Sequence, residues 1–190
     1  MIALIYRDFV LPGQEALYRT IEEDAARICL EFECPHPHFA IESLSGAKEV
    51  WWLNCFDSEA EKARVVDAYA QNEPLTRELS GITQRKQGVV GPPVEVWAIY
   101  QPHLSSEPFN VTGARFFVVQ LTKEPVKLMG AVFQDGDGTR YAFRPATDLE
   151  EATALAGADS IVFAVRPYWG LPAPEWIAAD PEFWSRQPNA

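Results

Sequence analysis

Apolar runs with β-branched and aromatic members predict four strands in the first half of the chain. The first run ends at Pro12-Gly13, a pair typical of a turn. A short glycine-containing segment, residues 45–48, joins the second run to the third and favours a hairpin. The predicted strands span residues 2–10, 38–44, 49–56 and 94–101.

Between the first two strands the apolar residues change to a helical period, which predicts an amphipathic helix over residues 14–32. The acidic run Glu22-Glu23-Asp24 falls on the opposite face and is expected to be solvated. Prolines 35 and 37 end the helix, because proline lacks the amide donor. The predicted buried stripe consists of Leu17, Ile21, Ala25, Ile28 and Phe32.

Two further helices are predicted before the fourth strand. Ser58 and Glu61 have the spacing of a capping box, which favours a helix to about Gln71, and Pro74 begins a shorter helix to about Gln84. The order strand, helix, strand, strand, helix, strand is that of a split βαβ unit with an antiparallel sheet. We therefore predict a ferredoxin-like unit over residues 1–101.

The second half repeats this order in a shorter form. A proline-rich polar linker is predicted over residues 102–112, followed by a degenerate unit over residues 113–168 that lacks its first helix. The fold class predicted is thus α+β, with two ferredoxin-like units in tandem and the second one truncated. The tail, residues 169–190, is rich in proline and tryptophan and is expected to fold back onto a groove or a partner. The predicted elements of the second half are strands over residues 114–121, 127–134, 140–145 and 160–167 and a helix over residues 147–156.

Charge and composition narrow the possible functions. The 190 residues carry a formal net charge of −11, which disfavours nucleic acid and anionic membranes as partners. The amino terminus has Arg7 and Asp8 where a signal peptide would be apolar, and 18 consecutive apolar residues do not occur, so a soluble cytoplasmic protein is expected. Three irregularly spaced cysteines are typical of reduced thiols.

The first half resembles the dimeric α/β-barrel superfamily, a ferredoxin-like group that includes antibiotic-biosynthesis-monooxygenase-like and stress-responsive domains. The residues that carry the likeness are IALIYRDFVLPG, the hairpin FAIESLSGAKEVWWLNCFDSEAE and AYAQNEPLTRELSG. The resemblance implies that two such sheets pack face to face into a barrel with a ligand-sized cavity, here as an internal pseudo-dimer. The superfamily includes cofactor-free oxygenases, haem-binding enzymes, isomerases and members without known activity. The resemblance therefore implies one of these classes, and the fold alone does not distinguish between them.

Side-chain alternation along the strands separates two faces of the first sheet. One face, which includes Ala3, Ile5, Trp51 and Leu53, is predicted to lie under the helices. The other is mixed aromatic and polar, which suits a cavity inside the barrel for a flat apolar or aromatic ligand. The alternative is that these tryptophans only fill space between sheets while the carboxylates are solvated. The predicted pocket residues are Tyr6, His38, Glu42, Trp52, Asn54 and Trp97.

Within this pocket His38 is the candidate general base, because imidazole titrates near neutrality. Asn54 and Tyr6 are the candidate donors to an oxyanion. Arg144, together with Arg140, is a candidate site for a carboxylate or phosphate of the ligand, with a solvated strand face as the alternative.

No cofactor or metal is expected, although Cys34, His36 and His38 are types that bind zinc, copper or a haem iron. Two functions remain open. The first is a cofactor-independent monooxygenase-like or isomerase-like enzyme that acts on an aromatic or polyketide-like ligand. The second is a non-catalytic ligand-binding or assembly protein, with a homo-oligomer as a possible state in either case.

Overall fold

The computed structural model describes residues 1–185, which form eight strands and six helices. The eight strands close into one antiparallel barrel in the order β1-β3-β2-β8-β5-β7-β6-β4. The protein is therefore a mixed α+β fold built on a closed barrel. The strands are β1 (Ile2–Phe9), β2 (His38–Ser43), β3 (Glu49–Phe56), β4 (Val94–Tyr100), β5 (Phe116–Thr122), β6 (Ala131–Asp135), β7 (Arg140–Ala146) and β8 (Ser160–Leu171). The helices are α1 (Glu15–Glu31), α2 (Glu59–Gln71), α3 (Glu73–Arg85), α4 (Leu149–Leu155), α5 (Pro174–Ala179) and α6 (Pro181–Trp184).

Local sequence signals place most of these elements where the pattern predicts them. The Ser58 hydroxyl accepts the backbone N–H of Glu61 at the start of α2, and Asp148 caps α4 in the same way. Two boundaries differ from prediction by more than two residues. Strand β6 begins only at Ala131, because residues 123–130 form a non-strand connection, and β8 continues into the predicted tail as far as Leu171.

The two halves of the chain have the same strand order. The first half reads β4-β1-β3-β2 and the second β8-β5-β7-β6, which in both cases is fourth, first, third and second strand of that half. They join at two seams, where β2 pairs with β8 and β4 pairs with β6, both antiparallel. Each half thus covers the two open edges of the other, and the barrel has no unpaired edge strand.

The barrel interior is filled by large apolar side chains from both halves. Trp51 on β3 meets Phe143 on β7 at a ring-centroid distance of 6.2 Å, and Phe39 on β2 meets Phe117 on β5 at 6.0 Å. Phe109, from the predicted linker, packs among the same rings. Ala3, Ile5 and Leu53 belong to this cluster too.

The prediction about the two sheet faces is therefore wrong. The mainly apolar face, which includes Ala3, Ile5, Trp51 and Leu53, lies inside the barrel rather than under the helices. The mixed aromatic and polar face, including Tyr6 and Trp52, lies outside and is covered by α1 and α3. The physical reason is that a barrel of eight strands is narrow enough to be filled by side chains, so its interior takes the most apolar face.

The C-terminal segment closes one end of the barrel. Trp176 packs edge-on against Phe39 with ring centroids 5.6 Å apart, and Phe183 and Trp184 join the interior cluster. An ion pair between Arg115 and Asp180 holds this segment to the start of β5. The tail thus folds back on its own chain within residues 169–185; residues 186–190 of the predicted tail lie outside the described part.

Among residues 1–185, none of the helices combines the length and the apolar character that crossing a lipid bilayer requires.

Candidate functional site

A cavity of about 270 Å³ lies between the outer face of β1, β2 and β3 and the helices α1 to α3. It is lined on the sheet side by aromatic and polar residues and on the helix side by apolar ones with two charged groups. The lining residues are Leu4, Tyr6, Glu22, Ala25, Cys29, His38, Trp52, Asn54, Tyr69, Leu79, Ile82, Thr83 and Lys86.

A buried charge cluster forms one side of this cavity. The Lys86 ammonium lies 2.7 Å from Oδ2 of Asp8 and 2.5 Å from Oε1 of Glu22, and the Tyr18 hydroxyl donates to Asp8 at 2.8 Å. Asp8 and Glu22 are both fully buried. Two carboxylates therefore share one ammonium inside the fold, an excess of negative charge that favours a proton on one of them.

Glu22 is the member of this cluster that takes up a proton most readily. Burial, opposed by the attraction of Lys86, raises the pKa of Glu22 above its ordinary value. The carboxylate is inaccessible to solvent, and its partners are the Lys86 ammonium and the Tyr18 hydroxyl. For Lys86, burial lowers the pKa, but Glu22 and Asp8 outweigh it and the pKa rises overall, so the ammonium stays charged. The raised pKa brings Glu22 closer to neutrality than an ordinary carboxyl, which is a property of groups that exchange protons with ligands.

Tyr6 and Trp52 supply the aromatic wall. The two residues are paired across β1 and β3, so their side chains lie on the same face. Burial, followed by the nearby Asp8 carboxylate, raises the pKa of Tyr6, which keeps the phenol protonated as a donor. The indole Nε1 of Trp52 is buried with no acceptor among the described residues. Both are groups that a ligand with oxygen substituents can engage.

His38 lies at the start of β2 with its ring 5.5 Å from that of Trp52. Its Nδ1 atom is 3.2 Å from the carbonyl oxygen of His36. A carbonyl oxygen only accepts hydrogen bonds, so the proton of neutral His38 sits on Nδ1 and Nε2 retains its lone pair. This tautomer leaves Nε2 as the nitrogen that can accept a proton or a hydrogen bond from a ligand.

The end of the cavity beneath His38 contains two cysteines and a tyrosine. The Sγ atom of Cys34 lies 2.7 Å from the Tyr69 hydroxyl and 3.9 Å from Nδ1 of His38. Hydrogen bonding with Cys29, then with His38 and Tyr69, lowers the pKa of Cys34 to about 4 against the opposing effect of burial. The same contact with Cys34, together with burial, raises the pKa of Cys29.

Of the residues predicted for the pocket, the structure brings Tyr6, His38, Trp52 and Asn54 together around one cavity. These four residues lie near one another as predicted, but their cavity is outside the barrel rather than within it.

The other three predicted ligand-binding residues lie elsewhere. The Glu42 carboxylate is held by Lys48 at 2.7 Å and by Arg166, which lower its pKa against the effect of burial. Trp97 stacks on Phe56 beneath α2, and its indole donates to Glu95. Arg144 is on β7, four strands away from β3, in a separate cavity. These three side chains do not line the cavity that holds His38.

Sequence reasoning missed Glu22 and Lys86. Glu22 was placed on the solvated face, yet the buried stripe of α1 includes Tyr18, Ile21, Glu22 and Cys29, while Leu17 is 48% exposed. The spacing of Tyr18, Glu22 and Ala25 follows the helical period. The sequence therefore contains a signal for this buried stripe, provided that an acidic residue is accepted as one of its members. Lys86 follows α3 immediately, and no local signal directs its side chain towards β1.

Metal ligands do not gather in this part of the fold. Within the described range no group of three or more His, Cys, Asp or Glu side chains is placed to hold a metal ion. His36 instead lines a second cavity at the end of the barrel, with its Nε2 atom 3.8 Å from Glu61.

Neither a protein-family model nor a curated protein matches the sequence. One solved structure with a similar fold is that of a proposed monooxygenase from Fusobacterium nucleatum subsp. nucleatum. The two chains are 10% identical and superpose with a TM-score of 0.55, over 86% of this chain and 91% of the other. At this identity the comparison shows only that the two chains have a similar fold, and the similarity extends over most of each chain.

Proposed function

We propose that this protein binds a small aromatic ligand in the cavity between the sheet and α1 to α3, and that it oxidises the ligand in a cofactor-independent, monooxygenase-like reaction. The single observation that carries the proposal is the buried Glu22 carboxyl, a lining residue of the cavity faced by Tyr6 and Trp52, whose pKa is raised by burial. The fold of the solved neighbour, itself a proposed monooxygenase, supports the same reading.

Ligand binding follows from the chemistry of the walls. The aromatic faces of Tyr6 and Trp52 suit a flat ring system, and the apolar side chains of Leu79 and Ile82 face it from α3. The Tyr6 hydroxyl, the Trp52 indole N–H and the Asn54 amide are the donors available to a phenol or ketone oxygen. The cavity volume of about 270 Å³ limits the ligand to a few fused rings.

Proton transfer begins the reaction. In this proposal Glu22 takes a proton from an acidic carbon or hydroxyl of the ligand, with His38 Nε2 as the second candidate acceptor. The resulting anion is stabilised by hydrogen bonds from Tyr6 and Asn54, and the apolar walls exclude water. Dioxygen then adds to the carbanion, and the O–O bond breaks as the same carbon loses its second hydrogen. One oxygen atom becomes the new carbonyl of the product, and the other leaves as water with that hydrogen and the proton held by Glu22. The ligand itself supplies the electrons.

We further propose that residues 1–101 and 113–168 are two ferredoxin-like units, the second without its first helix, joined by residues 102–112. The identical strand order of the two halves and the two symmetric seams support this division. The arrangement belongs to the dimeric α/β-barrel type, with the pseudo-dimer made within one chain. Helix α1 packs on β8 as well as on the first half, whereas within residues 1–185 the sheet of the second half carries only the short helix α4 on β5 and β7. One ligand cavity of this kind is therefore expected per chain.

The test uses anthrone, a tricyclic ketone with an acidic methylene group, as the probe. Its oxidation consumes one O₂ and yields anthraquinone and one water, so oxygen uptake and product absorbance give two readouts of the same step. Glu22→Gln is expected to lower the rate about 100-fold, as for loss of a general base. Glu23→Gln, the adjacent residue on the same helix, is the matched control and should stay within about twofold.

The outcomes separate the alternatives. Loss of activity in His38→Gln but not in Glu22→Gln would move the base to His38 and reject the role of Glu22. Proton exchange at the methylene without oxygen uptake would favour the isomerase-like reaction. Saturable binding, measured by quenching of tryptophan fluorescence, without exchange or turnover would leave a non-catalytic ligand-binding protein. No binding of anthrone or a bicyclic naphthol would contradict the proposal.

A further inference from the structure

Two of the three cysteines are brought together by the way α1 ends. Phe32 caps the helix, Glu33 adopts the left-handed conformation with φ of 51°, and the backbone N–H of Cys34 donates to the carbonyl of Cys29 at 2.8 Å. This six-to-one hydrogen bond is that of a Schellman motif, in which the side chains of these two positions pack against each other. Both cysteines are buried in the same apolar cluster with Leu75.

The geometry of the pair suits a disulfide. A disulfide spans α-carbons roughly 4.4–6.8 Å apart, a separation that a backbone hydrogen bond between the same two residues favours. The linked loop would be short and would lie at a helix end, where the backbone can adjust without breaking a strand ladder. The third cysteine, Cys55, is on β3 in a different cavity at the end of the barrel.

The surroundings of Cys34 stabilise a thiolate. The Tyr69 hydroxyl, 2.7 Å from Sγ, can donate to a negatively charged sulfur, and the polar ring of His38 lies nearby, with Nδ1 at 3.9 Å. Cys29, Tyr69 and His38 line the cavity between the sheet and α1 to α3, and Cys34 lies directly behind them with 7% of its surface exposed. A small solute in that cavity therefore reaches the immediate neighbours of the Cys34 sulfur. A thiolate with hydrogen-bond donors next to a second thiol is the arrangement that reacts with peroxides.

We propose that Cys34 and Cys29 form a peroxide-reactive dithiol site at the base of the cavity, with a hydroperoxide as its substrate. This function is additional to ligand oxidation and does not depend on it, because the reaction requires only the two thiols and the peroxide. Its product is a disulfide between Cys29 and Cys34.

The reaction balances in two steps. The Cys34 thiolate attacks the peroxide oxygen, so that an S–O bond forms, the O–O bond breaks, and the leaving alkoxide or hydroxide takes up a proton. The Cys29 thiol then attacks the sulfenic sulfur, forming the S–S bond and releasing the hydroxyl with the Cys29 proton as water. In sum, two thiols and one hydroperoxide give one disulfide, one alcohol (or water) and one water. Both electrons come from the thiols, and the hydroperoxide is reduced.

The test treats the purified, reduced full-length protein with hydrogen peroxide and follows thiols, intact mass and non-reduced peptide maps. We expect the loss of two thiols, a mass decrease of two hydrogens, and one peptide that links Cys29 to Cys34 and disappears with dithiothreitol. Cys55 should keep its thiol, since burial raises its pKa to about 12. Intact thiols, or oxidation of Cys34 to higher acids with no Cys29 link, would overturn the proposal.

Variants assign the roles of the two sulfurs. Cys29→Ser should stop at a sulfenic acid on Cys34 that dimedone traps, whereas Cys34→Ser should leave Cys29 as a thiol. Tyr69→Phe should slow disulfide formation about tenfold, as for loss of a hydrogen bond to a charged group. Cys55→Ser is the matched control and should form the disulfide at the rate of the unaltered protein. Equal rates in Tyr69→Phe and the unaltered protein would show that Tyr69 does not activate Cys34. The peptide map tests independently whether the disulfide between Cys29 and Cys34 forms.

Discussion

At the scale of single residues, the protein depends on one ammonium group shared by two buried carboxylates. The Lys86 ammonium contacts Oδ2 of Asp8 and Oε1 of Glu22; both carboxylates are fully buried, and the lysine side chain is 12% exposed. Such a cluster is costly to desolvate, and its stability requires that the charges stay paired. The shared ammonium leaves one negative charge uncompensated, which agrees with the raised pKa of Glu22.

Removal of Lys86 should therefore be far more harmful than removal of either carboxylate. We expect Lys86→Met to lower the free energy of unfolding by about 3–5 kcal/mol at pH 7, the cost of leaving buried charge uncompensated. Lys62→Met, at an exposed pair with Glu59, is the control and should change it by less than about 1 kcal/mol. Urea denaturation of both variants measures the difference, and similar losses in the two would contradict the buried cluster.

Substitution of Glu22 should change how stability depends on pH. The pKa of Glu22 is raised in the folded state, so the folded protein binds the proton more tightly than the unfolded chain does. The stabilisation from this group is complete below its ordinary pKa of 4.5 and is lost as the pH rises through the folded value. Glu22→Gln lacks this loss, and its stability relative to the unaltered protein should rise over that range. Denaturation at several pH values checks this; a difference that is constant or falls would refute it.

At the scale of elements, the side-chain alternation of β3 puts two tryptophans on opposite sides of the barrel wall. Trp51 points into the barrel, where its indole donates to Glu49 at 2.8 Å, and Trp52 points out towards α1 and α3. Two adjacent residues of one strand thus have different environments: Trp51 packs in the barrel core, and Trp52 lines the cavity. The pattern of the strand reveals the alternation, but only the closed barrel tells which face is inside.

The two tryptophans should respond differently to truncation. Trp51→Ala is expected to cost about 3–5 kcal/mol of stability, because it opens a cavity among packed aromatic rings. Trp52→Ala should cost clearly less and should abolish ligand binding in the cavity instead. Thermal denaturation and fluorescence titration with a bicyclic naphthol on both variants distinguish the effects. A larger loss of stability in Trp52→Ala would reverse the assignment of faces.

The seam between β2 and β8 depends on close backbone approach. A Cβ atom at Gly170 would lie 2.3 Å from the carbonyl oxygen of His38 and 2.9 Å from the α-carbon of Phe39. Gly170→Ala should therefore destabilise the fold by about 1–3 kcal/mol and displace His38. Gly81→Ala, in α3 with open space around it, should stabilise by about 0.5–1 kcal/mol. Denaturation curves with the same sign for both substitutions would contradict this account.

At the scale of the whole molecule, closure within one chain decides the architecture. Strands β2 and β4 are the edges of the first half, and both are paired only through the second half, with β8 and β6. The C-terminal helices then cover one end of the barrel through Trp176 and Trp184. The barrel therefore needs no second copy to close, and a homo-oligomer stays a prediction that rests on other surfaces.

A fragment comprising residues 1–101 should be unable to remain a folded monomer. It would expose two strand edges and the apolar face that carries Phe39 and Trp51, which favours pairing with another copy or aggregation. Sedimentation analysis of the fragment beside the full chain tests this. A monomeric fragment that unfolds cooperatively would show that the first half does not depend on the second.

The sequence by itself determined the elements and their order, because helical and strand periods, prolines and capping residues act over a few positions. It also determined that Tyr6, His38, Trp52 and Asn54 share one face of a sheet. Their places on the strands follow from alternation alone.

Only the tertiary structure decided which face of that sheet is inside, and that Glu22, Lys86 and the two cysteines complete the cavity. Glu42 and Arg144 are two further residues whose surroundings only the tertiary structure decided. The Glu42 carboxylate forms ion pairs with Lys48 and Arg166, and closure of the barrel places Arg144 four strands away from β3. The reason is that these outcomes depend on contacts between residues far apart in the chain. Lys86 meets Asp8 only because α3 packs beside α1 over β1, and no local pattern contains that information.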